Sequence, residues 1–374
     1  MTFKDAMAHY RAGTATPEER HLVEEELEKS QLIADYLDEQ WTEEPLPPLD
    51  TSAGEIQQVR KKLRQHSLTL VLTSVALAAA ILLGSIYGVI PALEKKYWNP
   101  DEQTLGQQFF TDFDITLDAY AELFCPELTI LQTFSKRTGF ASHELNIRYQ
   151  LSGQSPSYAI AQLERDTLTL PMELLDQPVP LNIFERGSYP TYPDTPETLA
   201  WTRESLEKLP EFVSVTAAVS FSEDWSMDQL LTFASSLDEQ SHIGWVGIRH
   251  YPSDIQFYPL CGIKPFEGGT VLETESADYP FLNIKGIDSL TAEQIQQHFL
   301  SQMRWSLDRT KAGRGIPIGW HDPATSYYES VIDYVEENGM YTYGCYLTTT
   351  PQNLLRLLDE GVVSKIFITD KQIG

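Results

Sequence analysis

The feature that most constrains this chain is an uncharged, apolar run at residues 67–93. Residues 68–90 of this run, as a helix, would extend roughly 34 Å at about 1.5 Å per residue, enough to cross a hydrocarbon core of about 30 Å. A secretory signal peptide would begin near the N-terminus and have a shorter apolar region, whereas here a long charged segment comes first. We therefore predict a retained transmembrane helix rather than a cleaved signal or a buried soluble helix.

Basic residues on either side of this run predict its orientation. Residues 60–64 contain four Lys or Arg, whereas two Lys follow the run at residues 95–96. Because basic residues are retained on the cytoplasmic side, the N-terminus is predicted to be inside and the long C-terminal part outside. Tyr87, Tyr97 and Trp98 are predicted to lie in the outer membrane interface, where amphipathic aromatic rings are enriched.

The net charge of the 374-residue chain is -27, which excludes several classes of partner. Nucleic-acid binding needs clustered Lys and Arg, and so does attachment to anionic lipid by charge alone. Residues 1–49 hold four Lys or Arg against twelve Asp or Glu, and about -21 remains outside. An acidic outer surface is expected mainly to keep the domain soluble, although it would also attract polycations or divalent metal.

Two helices are predicted before the membrane. In the first, Phe3, Met7 and Tyr10 recur at helical spacing, and Gly13 is a natural stop. The second begins at Pro17, with Thr16 as its cap and an acidic side chain three residues later that can reach back to it. Leu22 and Ile33 lie beside an apolar stripe on this helix and widen it. The residues of the stripe, at helical spacing, are Val23, Leu27, Ser30, Ala34, Leu37 and Trp41.

A hairpin of this size buries too little surface to be stable alone, so its apolar face needs a cover. A protein partner is the direct interpretation, and dimerisation through the same stripe is the alternative. A Pro-rich spacer at residues 45–48 follows the hairpin. The predicted partner-binding residues are Phe3, Met7, Tyr10, Leu22, Val23, Leu27, Ile33 and Leu37.

The outer part is predicted to begin with a β-rich region and to end in an α/β sandwich. Alternating segments such as ELNIRYQL, separated by turn residues, indicate strands over residues 94–211. From residue 212 the order strand–helix–strand occurs twice, the first helix capped by Ser226 and the second starting at Pro351. Such units imply right-handed crossovers between parallel strands, so two βαβ units are expected to share one sheet.

These features predict an α+β protein with five segments. They are a cytoplasmic helical domain, a linker with a juxtamembrane helix, a transmembrane helix, a membrane-proximal β-rich region and an extracellular α/β sensor or docking domain. Their predicted bounds are 1–45, 46–66, 67–93, 94–211 and 212–374.

The sequence offers little evidence of motifs for catalysis or cofactor binding. The chain has no G-x-S-x-G, phosphate loop or H-E-x-x-H, and we predict that it is not an enzyme and has no cofactor. Glu223-Asp224 and Asp278 lack the geometry of a calcium loop, and His321-Asp322 is best explained as a surface turn. Cys125, Cys261 and Cys345 have no C-x-x-C spacing. Buried free thiols are their expected state, with one oxidised pair left open.

Both halves of the chain contain an ordered set of residues that carries a family resemblance. In the N-terminal half these are Phe3, Tyr10, Gly13, Pro17-Glu18-Glu19, Leu27, Ile33, Tyr36 and Leu37. In the C-terminal half they are VSVTAAVSF, Leu230, Gly244-Trp245-Val246, the stretch from Tyr327 to Gly339, Tyr343-Gly344, and Leu354 through Ile366.

This set resembles the membrane-bound anti-sigma factors that regulate extracytoplasmic-function sigma factors in Gram-positive bacteria. The resemblance is to those with paired sigma factor regulator N-terminal and C-terminal regions, and it covers roughly residues 1–95 and 210–370. It implies an extracytoplasmic-function sigma factor as partner, an envelope signal and a possible accessory membrane protein. Better-known anti-sigma domains carry a His-x-x-x-Cys-x-x-Cys zinc cluster. Residues 1–66 have no cysteine, so binding without metal is expected.

The sequence leaves two functions to be compared. One is a signal transducer whose inner helices sequester the sigma factor and whose outer domain responds to the envelope. The alternative is a membrane-anchored envelope enzyme or wall-binding protein with a non-regulatory cytoplasmic tail. The capped amphipathic helices favour the transducer, because a mere anchor needs no apolar stripe.

Overall fold

The computed structural model describes residues 3–41, 53–103, 110–186, 192–250, 259–265, 276–282, 290–318 and 325–373. The chain divides into two compact units, Met1–Leu83 and Gly84–Gly374. The first unit contains a helical hairpin and most of a long apolar helix. In its described residues the second contains two antiparallel sheets with their helices. The predicted α+β class is confirmed.

The hairpin consists of α1 (Phe3–Arg11) and α2 (Pro17–Trp41). Gly13 ends the turn after α1 with a φ of +72°, a conformation that costs glycine little. The backbone nitrogen of Thr16 donates to Oε2 of Glu19 at 2.8 Å, and the Glu19 nitrogen donates to Oγ1 of Thr16 at 3.3 Å. These reciprocal bonds satisfy backbone donors at the start of α2, as the sequence predicted.

The apolar run lies in one helical segment. α3 (Ala53–Gly84) continues through a π-helical turn (Ser85–Val89) into α4 (Ile90–Glu94). The turn widens just before Pro91, which lacks the N–H for an ordinary helical bond and whose ring would clash with the carbonyl four residues earlier. Lys61–Glu94 is long and apolar enough to cross a membrane, and its most apolar window is not buried within the protein. This finding supports the predicted membrane anchor.

The first sheet is an antiparallel meander in the order β1-β2-β3-β4. A strand forms at ELNIRYQL, as its alternation predicted. The segment VPLNIFE (residues 179–185) was predicted as a strand by the same alternation but contains none. In the sequence, helices come both before and after this sheet. The elements are α5 (Asp112–Phe124), β1 (Leu128–Gly139), β2 (Ser142–Leu151), β3 (Ser157–Glu164), β4 (Thr167–Thr169), α6 (Met172–Leu175) and α7 (Pro196–Glu207).

The second sheet includes all of the strands predicted after residue 212, and its helices begin where the sequence placed them. Thr291 and Ser226 cap α9 and α8 with reciprocal bonds, and Thr350 caps α11. The elements are β5 (Val213–Ser226), α8 (Met227–Ser236), β6 (His242–Ile248), β7 (Gly262–Ile263), α9 (Ala292–Lys311), α10 (Thr325–Asn338), β8 (Tyr341–Thr349), α11 (Pro351–Asp359) and β9 (Val363–Ile373).

The strand order β7-β6-β8-β5-β9 corrects one detail of the expected topology. β5 and β6 both pair antiparallel with β8, so they run parallel to each other with β8 between them. In the same way β8 and β9 run parallel on either side of β5. The two βαβ units therefore share one sheet, but each is split by a strand of the other, as in ferredoxin-like folds.

Both faces of the second sheet are covered. Val215, Val219 and Phe221 of β5 join a large core that also contains Leu145 and Ile147 of the first sheet. On the opposite face, Phe184 stacks against Trp245, with a ring-centroid distance of 6.1 Å. This double coverage explains why VSVTAAVSF is almost continuously apolar rather than alternating.

Candidate partner-binding site

The hairpin is held together by a small contact region near its turn. Ala6 of α1 and Val23 of α2 are completely buried. Beside them, Nδ1 of His9 lies 2.9 Å from Oε1 of Glu19, whose side chain is also buried. The bond from the Thr16 backbone, followed by the bond with His9, lowers the pKa of Glu19. The turn and the first part of α2 are thus fixed by packing and by a shared carboxylate.

The described part of α2 beyond its contact with α1 is largely solvent-exposed. α1 has 9 residues and α2 has 25, so at about 1.5 Å per residue α2 extends beyond α1 by more than 20 Å. Among the described side chains, every residue from 24 to 36 is exposed. Leu27 is 46% exposed and Ile33 is 61% exposed. An apolar helix face in this state is suited to a groove on another protein.

The predicted partner-binding residues fall into four groups. Leu22, Leu27 and Ile33 are exposed on α2. Val23 is buried inside the hairpin and leaves no surface for a partner in this conformation. Met7 and Tyr10 are half-buried on α1. The side chains of Phe3 and Leu37 lie outside the described residues.

Acidic side chains border the exposed apolar residues. Nζ of Lys29 lies 2.9 Å from Glu25 and 3.0 Å from Glu26. The hydrogen bond from Lys29 lowers the pKa of Glu25. Such exposed pairs contribute little to stability, so their main effect is to keep this face negative and soluble.

The second unit has a buried polar cluster that the sequence did not indicate. Oε1 of Glu122 lies 2.6 Å from Nε2 of His298, and Gln302 donates to Oε2 at 2.7 Å. Nδ1 of His298 is 2.7 Å from the carbonyl of Phe281, so both ring nitrogens face oxygen atoms. Burial alone would raise the pKa of Glu122, but the charge and hydrogen bond of His298, with Gln302 and Lys264, lower it to about 2. The cluster connects α5 to α9 as an internal ion pair.

A cleft of about 320 Å³ lies between the two sheets of the second unit. On one side His242, Thr348 and Thr216 form a row across β6, β8 and β5, with the two threonine hydroxyls 2.9 Å apart. On the other side lie Glu127 and Gln150. Its size and its hydrogen-bonding groups suit a small polar ligand.

The weak metal and redox candidates have structural explanations. Arg249 donates to both oxygens of Asp224 at 2.9 and 3.1 Å, so this carboxylate is already engaged. His321-Asp322 lies outside the described residues. All three cysteines are free and buried. Burial raises the pKa of Cys125 and of Cys261 to about 12, as expected for inert thiols.

Comparison with protein families matches residues 206–370 to the family described as sigma factor regulator C-terminal. The matched region is a domain-sized segment that covers less than half of the chain. This domain contains the split βαβ sheet and its four helices α8–α11, and it confirms the resemblance predicted for the C-terminal half. It supports an anti-sigma factor role, which is a regulatory rather than enzymatic type of function. Comparison with curated proteins and with solved structures finds no match.

The family match begins after the hairpin and the apolar helix. The resemblance of residues 1–95 to the N-terminal sigma factor regulator region therefore stays a prediction, as does the sigma factor contact itself. Sequence periodicity identified the apolar stripe of α2 but not the part that α1 covers. Ala6 lies at helical spacing from Phe3 and Tyr10, and this spacing could have predicted that Ala6 is buried.

Proposed function

We propose that the chain is a transmembrane anti-sigma factor that sequesters an extracytoplasmic-function sigma factor through its cytoplasmic helices. The observation that carries this proposal is the exposed apolar part of α2, in a chain that also has a sigma factor regulator C-terminal domain. The exposed Leu27 and Ile33 would be covered when the sigma factor binds. The acidic residues around them would meet basic residues of the partner, and no direct contact with nucleic acid is needed.

In the proposed topology the hairpin is inside the cell and the sigma factor regulator C-terminal domain is outside. The basic residues before the apolar run support this orientation. The outer domain would respond to an envelope signal, for which the cleft between the sheets offers a site of suitable size. An accessory membrane protein is a possible further partner. A reporter active only in the cytoplasm, fused after Gly374, should be silent, and activity there would show that the orientation is reversed.

The alternative function is an envelope enzyme or wall-binding protein with a passive tail. Purification of the full chain from detergent-solubilised cells separates the two proposals. A sigma factor should co-purify with the full chain and should be lost when residues 1–41 are deleted. Recovery of the same proteins with and without residues 1–41 would contradict sequestration by the hairpin.

A further inference from the structure

The end of the membrane helix is attached to the outer domain by specific contacts. Glu94, the last residue of α4, accepts a hydrogen bond from the backbone nitrogen of Ala141 at 3.1 Å and forms an ion pair with Arg137. Tyr97 packs edge-on against Phe140, with ring centroids 5.8 Å apart. The turn between β1 and β2 therefore lies against the point where the candidate span ends.

Two further contacts fix the chain immediately after the span. The backbone nitrogen of Trp98 donates to Asp166 at 2.8 Å, and its indole nitrogen donates to Asp112 at 2.8 Å. Trp98 is 1% exposed, so the expectation that it lies in the membrane interface is wrong. Arg165, in the turn between β3 and β4, lies 5.9 Å from the ring centroid of Tyr97.

These contacts bring exposed cations together in a region of the chain that is otherwise acidic. We call the two turns and the residues after α4 the exit surface. Of its carboxylates, Glu94 and Asp166 accept the bonds just described, whereas Asp101 and Glu102 are exposed. Glu144 lies opposite Lys136 in the strand register. Glu164 is exposed. The exposed cations of the exit surface are Lys95, Lys96, Lys136, Arg137 and Arg165.

We propose that the exit surface docks on the phosphate headgroups of the adjoining lipid leaflet. The inference rests on the proposed function only in requiring that Lys61–Glu94 spans a membrane. Continuity with the span brings the surface to the level of the headgroups, where its exposed cations, beginning with Lys95 and Lys96 directly after the span, can bind phosphate. Phe140, which is 40% exposed, is placed to enter the interface as aromatic side chains do. Docking would hold the outer domain in one orientation relative to the membrane.

The buried native cysteines allow a selective probe of this surface. Thr138→Cys places an exposed thiol in the β1–β2 turn, and Gln240→Cys places one before β6 as a control. Each full-length variant is labelled with a small fluorophore and reconstituted in nanodiscs containing a headgroup quencher. Nanodiscs expose both leaflets, so the result does not depend on orientation. We expect several-fold stronger quenching at Thr138 than at Gln240.

The dependence of quenching on lipid charge and on salt tests whether the phosphate headgroups are the partner of the exit surface. Replacing part of the phosphatidylcholine by phosphatidylglycerol should increase quenching at Thr138, and about 1 M salt should reverse the increase, because the Debye length then falls to about 3 Å. Lys136→Gln and Arg165→Gln should each lower the ratio of docked to undocked domain about five-fold, because each removes one basic residue near the membrane surface. The exposed Lys208→Gln is the matched control.

Equal quenching at Thr138 and Gln240, or no response to anionic lipid, would overturn the proposal. Failure to recover the chain in nanodiscs would instead contradict the membrane span. Sigma factor binding, measured separately on the same variants, should not change.

Discussion

Nδ1 of His9 lies 2.9 Å from Oε1 of Glu19 and joins the two helices of the hairpin across its turn. The same carboxylate uses its second oxygen to accept the Thr16 backbone N–H, so one side chain both caps α2 and contacts α1. The orientation of the proposed sigma factor surface therefore depends on this turn.

Thr16→Ala should loosen the hairpin, because it removes one half of the reciprocal cap. Loss of such a cap costs about 1 kcal/mol, which corresponds to roughly five-fold faster amide exchange in the first turns of α2 and in α1. Hydrogen exchange on the full chain in detergent measures this directly. Thr14→Ala is the control, since the Thr14 side chain donates a long bond of 3.5 Å to the His9 carbonyl, and the substitution leaves the backbone bond of Thr14 in place. Equal exchange in the two variants would show that the cap does not hold the hairpin.

The Glu122–His298 pair predicts that the unit Gly84–Gly374 loses stability at acid pH. The folded-state pKa of Glu122 is about 2, below its ordinary value of 4.5, so the ionised form stabilises the fold. This contribution is complete above pH 4.5 and is lost as the pH falls from 4.5 towards 2. A shift of this size corresponds to about 3 kcal/mol.

Glu122→Gln should lower stability at neutral pH by a similar amount and flatten the pH dependence of Tm in that window. The comparison is thermal unfolding at a series of pH values, with the exposed Glu164→Gln as control. An unchanged slope in Glu122→Gln would mean that this pair does not cause the loss of stability at acid pH.

The three cysteines should be chemically silent in the folded protein. Because burial raises the pKa of each thiol, little thiolate exists near neutral pH. A thiol reagent should modify none of them before unfolding and all three afterwards, as counted by mass spectrometry. Rapid labelling of the native chain, or fewer than three free thiols after unfolding, would contradict this state.

Sigma factor binding should not need a metal ion. Residues 1–66 contain no cysteine, and His9 is already engaged by Glu19. Affinity measured with and without a strong chelator should agree. A loss on chelation that zinc restores would refute metal-free sequestration.

Local signals in the sequence predicted much of the fold. The caps at Thr16 and Ser226 and the helix start at Pro351 depend on residues within one turn, and the structure has all three. α5 was missed because it is buried on most sides, so its sequence lacks a single apolar stripe. The insertion of β8 between β5 and β6 depends on pairings more than ninety residues apart, which no local pattern records.

The candidate site was predictable in the same partial way. Helical periodicity identified Leu27 and Ile33 as apolar positions on one helix, and both are exposed. It could not show that Val23 is buried inside the hairpin. The contacts of Glu94 and the burial of Trp98 also arise from distant strands and turns. Because no local pattern records them, the sequence alone led to an interfacial position for Trp98.

The most direct test of the central claim is the affinity of single α2 variants for the sigma factor. Truncation of a leucine that becomes buried costs about 2–5 kcal/mol, and about 1.4 kcal/mol is tenfold in affinity. Leu27→Ala and Ile33→Ala should therefore each weaken binding at least tenfold and give constitutive transcription of the target genes, with membrane insertion unchanged. Glu24→Ala, an exposed polar neighbour, should have little effect. Full repression by Leu27→Ala together with failure of Glu24→Ala would contradict the account, because the interface would then be electrostatic.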